Sequence, residues 1–302
     1  MVYGTAKSSV GPAIQLIKDI APPAEDFMLS IPRPVVNTRN KEIWILEGGK
    51  QEVRIHRPES GLRYFLPVNF NADATSPNFD EALEGILSKA EEPQELQRHL
   101  FELMGYAVQG VRDIPVIGFF CGAGANGKSL LLGVLKAIAG RQQVLAGTLG
   151  SVTRDRFMVP DLAGKLLFVE DDAKDDVELE DGLLKMVSEN KIINSRRVRA
   201  SHGMAFCSMV MPLISTNNAP RLRDTSDGMR RRLHVIPFDR QFTREEIDPD
   251  LGRKIEGELS GVLNHLLDGY RRFRQTGWSE NRERWQELGE GQQPEVMIIA
   301  CS

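Results

Sequence analysis

Apolar positions along the chain change rhythm several times, and each change marks an element. Glu42-Ile43-Trp44-Ile45-Leu46 and Val53-Arg54-Ile55-His56 flank Gly48-Gly49, which predicts a β-hairpin. Leu62 to Phe70 offers one more extended segment. From Asn78 to Gln109 the spacing turns helical, with Phe79, Leu83 and Ile86 in one stripe and Leu96, Leu100, Leu103 and Met104 in another. Four short apolar runs follow, at Ile114 to Phe120, Lys165 to Val169, Val210 to Ser215 and Leu233 to Phe238, and each reads as a buried strand. Leu130 to Ile138 is helical and closed by Gly140. Leu183 to Val187 continues a further helix. Ile255, Leu259, Val262, Leu263, Leu266, Leu267, Tyr270 and Phe273 keep the spacing of a closing amphipathic helix. Ala13 to Ile20 offers a short helix ended by Pro22-Pro23, Val152 to Asp161 a mixed segment, and Gln292 to Ser302 a short, loosely held polar end.

Between the first buried strand and its helix lies Gly122-Ala123-Gly124-Ala125-Asn126-Gly127-Lys128-Ser129, which fits G-x-x-x-x-G-K-[ST]. The order strand, glycine-rich loop, helix aims loop N–H groups and a helix N-terminus at a polyanion. Gly122, Gly124 and Gly127 permit backbone shapes and approaches that a Cβ would block. The stretch Gly122 to Leu130 is therefore the expected cradle for ATP or GTP, with Lys128 reaching the β- and γ-phosphates and Ser129 ligating Mg²⁺.

Three later stretches bear on that site. The strand Lys165 to Val169 ends in Glu170-Asp171-Asp172, acids that would approach the metal if the strand shares the sheet of the phosphate loop. One carboxylate would hold Mg²⁺ and another would orient or deprotonate water; spacing alone favours Glu170-Asp171. Val210 to Ser215 ends at Thr216-Asn217-Asn218-Ala219-Pro220, where Asn217 or Asn218 either holds the attacking water or shapes the turn. Arg230-Arg231-Arg232 precedes the last strand and is a source for an arginine finger or a surface patch. Lys191 to Met211 reads as two extended arms around a basic tip. Arg196, Arg197, Arg199 and His202 there either touch nucleic-acid phosphates or belong to a solvated hairpin or subunit contact.

Composition narrows the rest. At 302 residues the chain has room for about two domains. A net charge of −4 excludes a globally basic coat, so nucleic-acid contact requires local patches. Cys121, Cys207 and Cys301 form no C-x-x-C pair, which speaks against a zinc ribbon or a disulfide framework. No apolar run reaches membrane-span length, and the N-terminus lacks a signal-peptide core. A soluble, cytoplasmic protein is expected. The L-S-G-G-Q signature of ABC transporters is missing, and P-loop kinases would not need the arginine triplet.

From about Ile55 to Trp278 the sequence resembles superfamily 3 helicases, in particular the phage, plasmid and poxvirus primase-helicase branch. That branch's loop reads G-x-G-x-N-G-K-S, matched with Asn126 in place. Gly164-Lys165 precedes Asp171-Asp172, Thr216, Asn217 and Pro220 match T-N-x-x-P, and Arg231-Arg232 precede Ile236-Pro237-Phe238. Thr75-Ser76-Pro77-Asn78-Phe79 and Met104-Gly105-Tyr106 resemble the branch's pre-helicase module. The resemblance implies an α/β AAA+-type P-loop ATPase with a central parallel sheet. Residues 113–240 would form that core, after a linker and small β-rich module over 1–77 and a helical collar over 78–112. A helical segment and tail over 241–302 would follow. It implies a ring, usually hexameric, with ATP and Mg²⁺ between subunits. Lys128, Ser129, Asp171, Asp172 and Asn217 would come from one subunit, and Arg231 or Arg232 from the next. The hairpin at Lys191 to Met211 would track single-stranded DNA, commonly 3′ to 5′. The family register makes Asp171-Asp172 the working acids, against Glu170-Asp171 from spacing. Many relatives carry a primase upstream; no primase site is visible here, and a primase or polymerase partner stays open, in cis or in trans. The alternatives to a helicase are an initiator or loader that remodels DNA without processive unwinding, and a ring scaffold that recruits a primase.

Overall fold

The computed structural model describes residues 28–148, 152, 158–173, 181–196, 203–217 and 226–292, with side chains described as far as 275. The expected helix at Ala13 to Ile20, most of Val152 to Met158, Asn218, Pro220, Arg197, Arg199, His202 and the end beyond Gln292 lie outside the described residues.

The N-terminal hairpin forms as the alternation predicts. Strand β2 (Glu42–Ile45) pairs antiparallel with β3 (Gln51–Arg54), and β1 (Val35–Asn37) adds a third strand on the other side of β2. Leu62 to Phe70 contributes only an isolated bridge, Thr38 to Leu66. The helical pattern resolves into α1 (Pro77–Leu87) and α2 (Pro93–Ala107), and all seven stripe residues are buried.

Five of the remaining strands build one parallel sheet. In chain order they are β4 (Ile117–Cys121), β5 (Val144–Ala146), β6 (Leu167–Ala173), β9 (Met211–Thr216) and β10 (Leu233–Pro237). In space they run β10-β4-β9-β6-β5, every neighbouring pair parallel. Because all strands point one way, their C-terminal ends share one edge, where ligands gather in open α/β sheets. Helix α3 (Lys128–Ala139) follows β4 and stops at Gly140, whose φ of +83° suits glycine. Between β6 and β9, helix α4 (Asp181–Val187) leads to an antiparallel hairpin of β7 (Ile192–Ser195) and β8 (Met204–Cys207). The second arm therefore breaks at Ser208 to Val210 before β9 begins. Ser208 Oγ donates to Val187 O at 2.8 Å and accepts from the Val210 N–H at 3.3 Å, which bends the chain there. Helix α5 (Asp227–Arg230) precedes β10, and α6 (Leu251–Glu256) and α7 (Leu259–Gln292) close the fold.

The closing helix lies along α2. At Gly105 a Cβ would sit 2.1 Å from Leu266 O, and at Gly269 another would sit 2.2 Å from Phe101 O, so the two backbones approach closer than side chains allow. One continuous hydrophobic cluster takes in Leu100 and Leu103 of α2, Leu131 and Leu135 of α3, Val169 of β6, and Leu263 and Leu266 of α7. Arg112 is fully buried beside this core. Its guanidinium donates to Tyr106 O and Ala107 O at the end of α2, to the adjacent Val111 O and to Leu166 O just before β6, which ties the helical layer to the sheet.

Glu102, on the same face of α2, is 4% exposed, with Arg272 Nε 3.9 Å away. Burial pushes its carboxyl up to about 7, against the pull of Arg272 and Arg98. The native state thus holds a proton that the unfolded chain releases near pH 4.5, so this site lowers stability as pH rises from about 4.5 to about 7. Glu102→Gln is expected to raise stability at pH 8 by about 3 kcal/mol and to leave it unchanged near pH 4. Denaturant melts at the two pH values check this; equal gains at both would refute it.

Candidate functional site

Strand β4 delivers the phosphate loop to the C-terminal edge of the sheet. Gly124 and Gly127 adopt φ of +91° and +89°, and Ala125 has φ +46°. A Cβ on Gly127 would also collide with Ile86 of α1 at 2.4 Å, so the helical layer seats the loop from outside. A Cβ on Gly122 would fall 2.4 Å from Phe238 O, just past β10. The loop is fastened by main chain: the Gly122 N–H donates to Thr216 O at 3.2 Å, and the Phe242 N–H donates to Ala125 O at 2.7 Å. No side chain caps α3, so its first-turn N–H groups face the concavity of the loop.

Within that concavity Lys128 is 5% exposed. Its Nζ donates to Gly122 O and, at 3.0 Å, to Asn126 Oδ1. Asn126 in turn donates from Nδ2 to Phe238 O at 3.3 Å, joining the loop to the end of β10. Burial holds the Lys128 ammonium below its usual range, while Cys121 and Asp172 pull in the opposite sense. Burial also pushes the Cys121 thiol up to about 12, against the pull of Lys128, which disfavours a thiolate there. Ser129 is exposed at the first turn of α3. The glycine-shaped cradle, the uncapped helix and a lysine that, among the described residues, bonds loop oxygens fit a nucleotide phosphate chain. Among the described residues no cluster of three or more His, Cys, Asp or Glu is placed to hold a metal. Mg²⁺ on one hydroxyl, one or two carboxylates, phosphates and water needs no such cluster.

The acidic strand takes its place in the same sheet, with β9 between it and β4. Strand β6 does not end at Val169; it runs on to Ala173, with a register irregularity between Glu170 and Ala173. The three acids consequently diverge. Glu170 is 3% exposed and pairs in register with Ile214. Asp171 forms an ion pair with Lys136, in the last turn of α3, at 2.6 Å. Asp172, at φ +65°, accepts a hydrogen bond from Asn217 Nδ2 at 3.4 Å. Lys128, Asp172 and Asn217 thus meet at one edge. Lys136 was not among the residues singled out in the sequence; a lysine two turns beyond Lys128 carries no pattern of its own.

The arginines lie elsewhere. Parallel pairing sets Leu233 beside Ile117 and Pro237 beside Cys121, and the Ile117 N–H donates to Arg232 O at 2.7 Å. Arg230 to Arg232 therefore sit at the N-terminal edge, a strand length of about 16 Å from the phosphate loop of the same chain. Arg231 is exposed, whereas Arg232 is 5% exposed and its guanidinium bonds Gly228 O and the Glu189 carboxylate. Of the basic tip only Arg196 is described, at the end of β7. Among the described residues no helix is long and apolar enough to cross a membrane.

A family of unknown function, DUF5906, matches residues 120–232, from the end of β4 to the arginine triplet. A candidate helicase of Acanthamoeba polyphaga mimivirus is 23% identical over an alignment of 218 positions that covers 65% of this chain and 23% of that protein. The chain thus spans about a quarter of the viral relative. Two apo structures of the NrS-1 C-terminal region share the fold. One has a TM-score of 0.52 at 16% identity, covering 68% of this chain and 51% of that one. The other has a TM-score of 0.51 at 15% identity, covering 71% and 55%.

Proposed function

We propose that the chain is the ATP-hydrolysing subunit of a homo-hexameric ring that moves on single-stranded DNA, a superfamily 3 helicase of phage or plasmid replication working 3′ to 5′. The observation that carries this reading is the division of the site between two sheet edges. Lys128, Asp172 and Asn217 converge on the phosphate loop, while Arg231 is exposed at the opposite edge, which supports a role for it toward a neighbouring subunit. The likeness to the mimivirus candidate helicase supports the same class.

In this reading Gly122 to Leu130 hold the triphosphate of ATP, and Lys128 leaves Gly122 O and Asn126 for the β- and γ-phosphates. Bound Mg²⁺ would neutralise charge developing on the phosphates, held by Ser129 and Asp172, with Asp171 joining only on release from Lys136. Asn217 and Asp172 orient the attacking water between them, and Asp172 accepts its proton. Arg231 of the adjoining subunit stabilises charge on the transferred phosphoryl group. The hairpin carries DNA contacts at Arg196, Arg197, Arg199 and His202.

The test is ATP hydrolysis together with strand displacement on forked DNA, comparing 3′ and 5′ tails. Unwinding from the 3′ tail is expected. Hydrolysis without unwinding would instead favour a loader or a scaffold recruiting a primase. Neutralising Arg196, Arg197 and Arg199 together is expected to weaken DNA binding and reduce its log–log salt slope by about 2. An unchanged slope would remove the hairpin from the DNA path.

A further inference from the structure

Glu189 occupies a junction that its sequence context, Val187-Ser188-Glu189-Asn190-Lys191, does not announce. It follows α4 and stands three residues before β7. One carboxylate oxygen accepts from Arg232 Nη2, and the other pairs with Lys191 Nζ at 2.7 Å. Burial opposes its ionisation, yet the bonds from Lys191 and Arg232 outweigh that and keep the carboxyl below its ordinary value. Arg232 also holds Gly228 O of α5 through its other terminal nitrogen. The same guanidinium therefore grips the turn that presents Arg231.

The base of the hairpin is clamped beside it. The Ser208 N–H donates to Lys191 O at 2.9 Å, bridging the two arms. Asn190 Nδ2 donates to Ser208 O at 2.7 Å and to Gly110 O at 3.1 Å, and Asn190 Oδ1 accepts from the Arg112 N–H at 2.6 Å. The neighbouring Asn190 is thus anchored to the core, while Glu189 joins the hairpin base to the arginine turn by a charged, part-buried link.

We propose that Glu189 is a positioning residue that couples the base of the β7–β8 hairpin to the arginine turn, so that DNA held by the hairpin adjusts Arg231 toward the neighbouring subunit's nucleotide. The inference rests on the reading of the chain as a DNA-responsive ring ATPase. It assigns Glu189 no contact with nucleotide or DNA.

The experiment compares wild type, Glu189→Gln and Glu189→Ala for ATP turnover with and without saturating oligo(dT), alongside ATP affinity, oligo(dT) affinity and melting temperature. The expected result is wild-type affinities for both ligands, with DNA stimulation of turnover reduced at least about fivefold, the lower end of coupling between sites. A merely structural carboxylate would not move that ratio while sparing both affinities. Undiminished stimulation in folded Glu189→Gln and Glu189→Ala would overturn the inference and leave the ATPase reading standing. A wild-type rate indifferent to oligo(dT) would overturn both. Failure of both variants to fold would make Glu189 a structural prop and overturn the inference.

Discussion

Lys128→Ala is expected to lower ATP turnover by at least about 10²-fold, the scale of losing one preorganised charge at a transition state. The physical ground is the geometry of the loop. Lys128 Nζ is satisfied by Gly122 O and Asn126 Oδ1, both loop oxygens, and among the described residues by no carboxylate. Such a cation is held in place yet can be drawn off by a phosphate chain. Removing it should cost the fold little, because burial already disfavours its charge. Melting temperature is therefore expected within a few degrees of wild type, while phosphate release collapses. Turnover near the wild-type rate would overturn the assignment of the phosphate loop.

Arg231→Ala should cost about 10³-fold in turnover, the lower end for an arginine finger, with ATP affinity preserved. The fold itself separates Arg231 from its own chain's loop by the length of β10, so the defect should be complementable. Mixing Arg231→Ala with Lys128→Ala creates interfaces that join an intact loop to an intact arginine, and activity should return above either variant alone. No recovery in demonstrably mixed assemblies would count against shared sites. Arg232→Ala should behave differently. It removes the cation facing Glu189 and leaves that carboxylate with Lys191 alone, so a stability loss of about 3 kcal/mol should accompany any kinetic effect. Chemical denaturation of the two single variants distinguishes the roles.

Much of the architecture is legible from apolar spacing. The stripes of α1 and α2 and the runs of β4, β9 and β10 are long enough to impose a period. Strands β1 and β5, at three residues each, are too short to carry one and emerge only from pairing with β2 and β6. Glu170, Asp171 and Asp172 are recognisable as acids near a strand end, but their order in sequence does not reveal their directions. Those are set by the irregularity late in β6 and by the positive φ of Asp172. Arg231 and Arg232 are equivalent to any pattern; a carboxylate 43 residues upstream of Arg232 makes one interior and leaves the other outside. Asn126 is visible as part of a motif, whereas its link to Phe238 O depends on β10 arriving beside the loop. Interactions between distant elements are what spacing along a chain cannot encode.

The crossing of α2 and α7 through Gly105 and Gly269 has a mechanical meaning. Backbones that touch without intervening side chains leave no soft layer in which to slip, and Arg112 bolts the end of α2 to the sheet. A subunit built this way behaves as a solid block with little internal give. If rings of this chain perform work, the hinge is at the joints between blocks, and stiffening a joint with an intersubunit cross-link should stall the machine more completely than stiffening any one block.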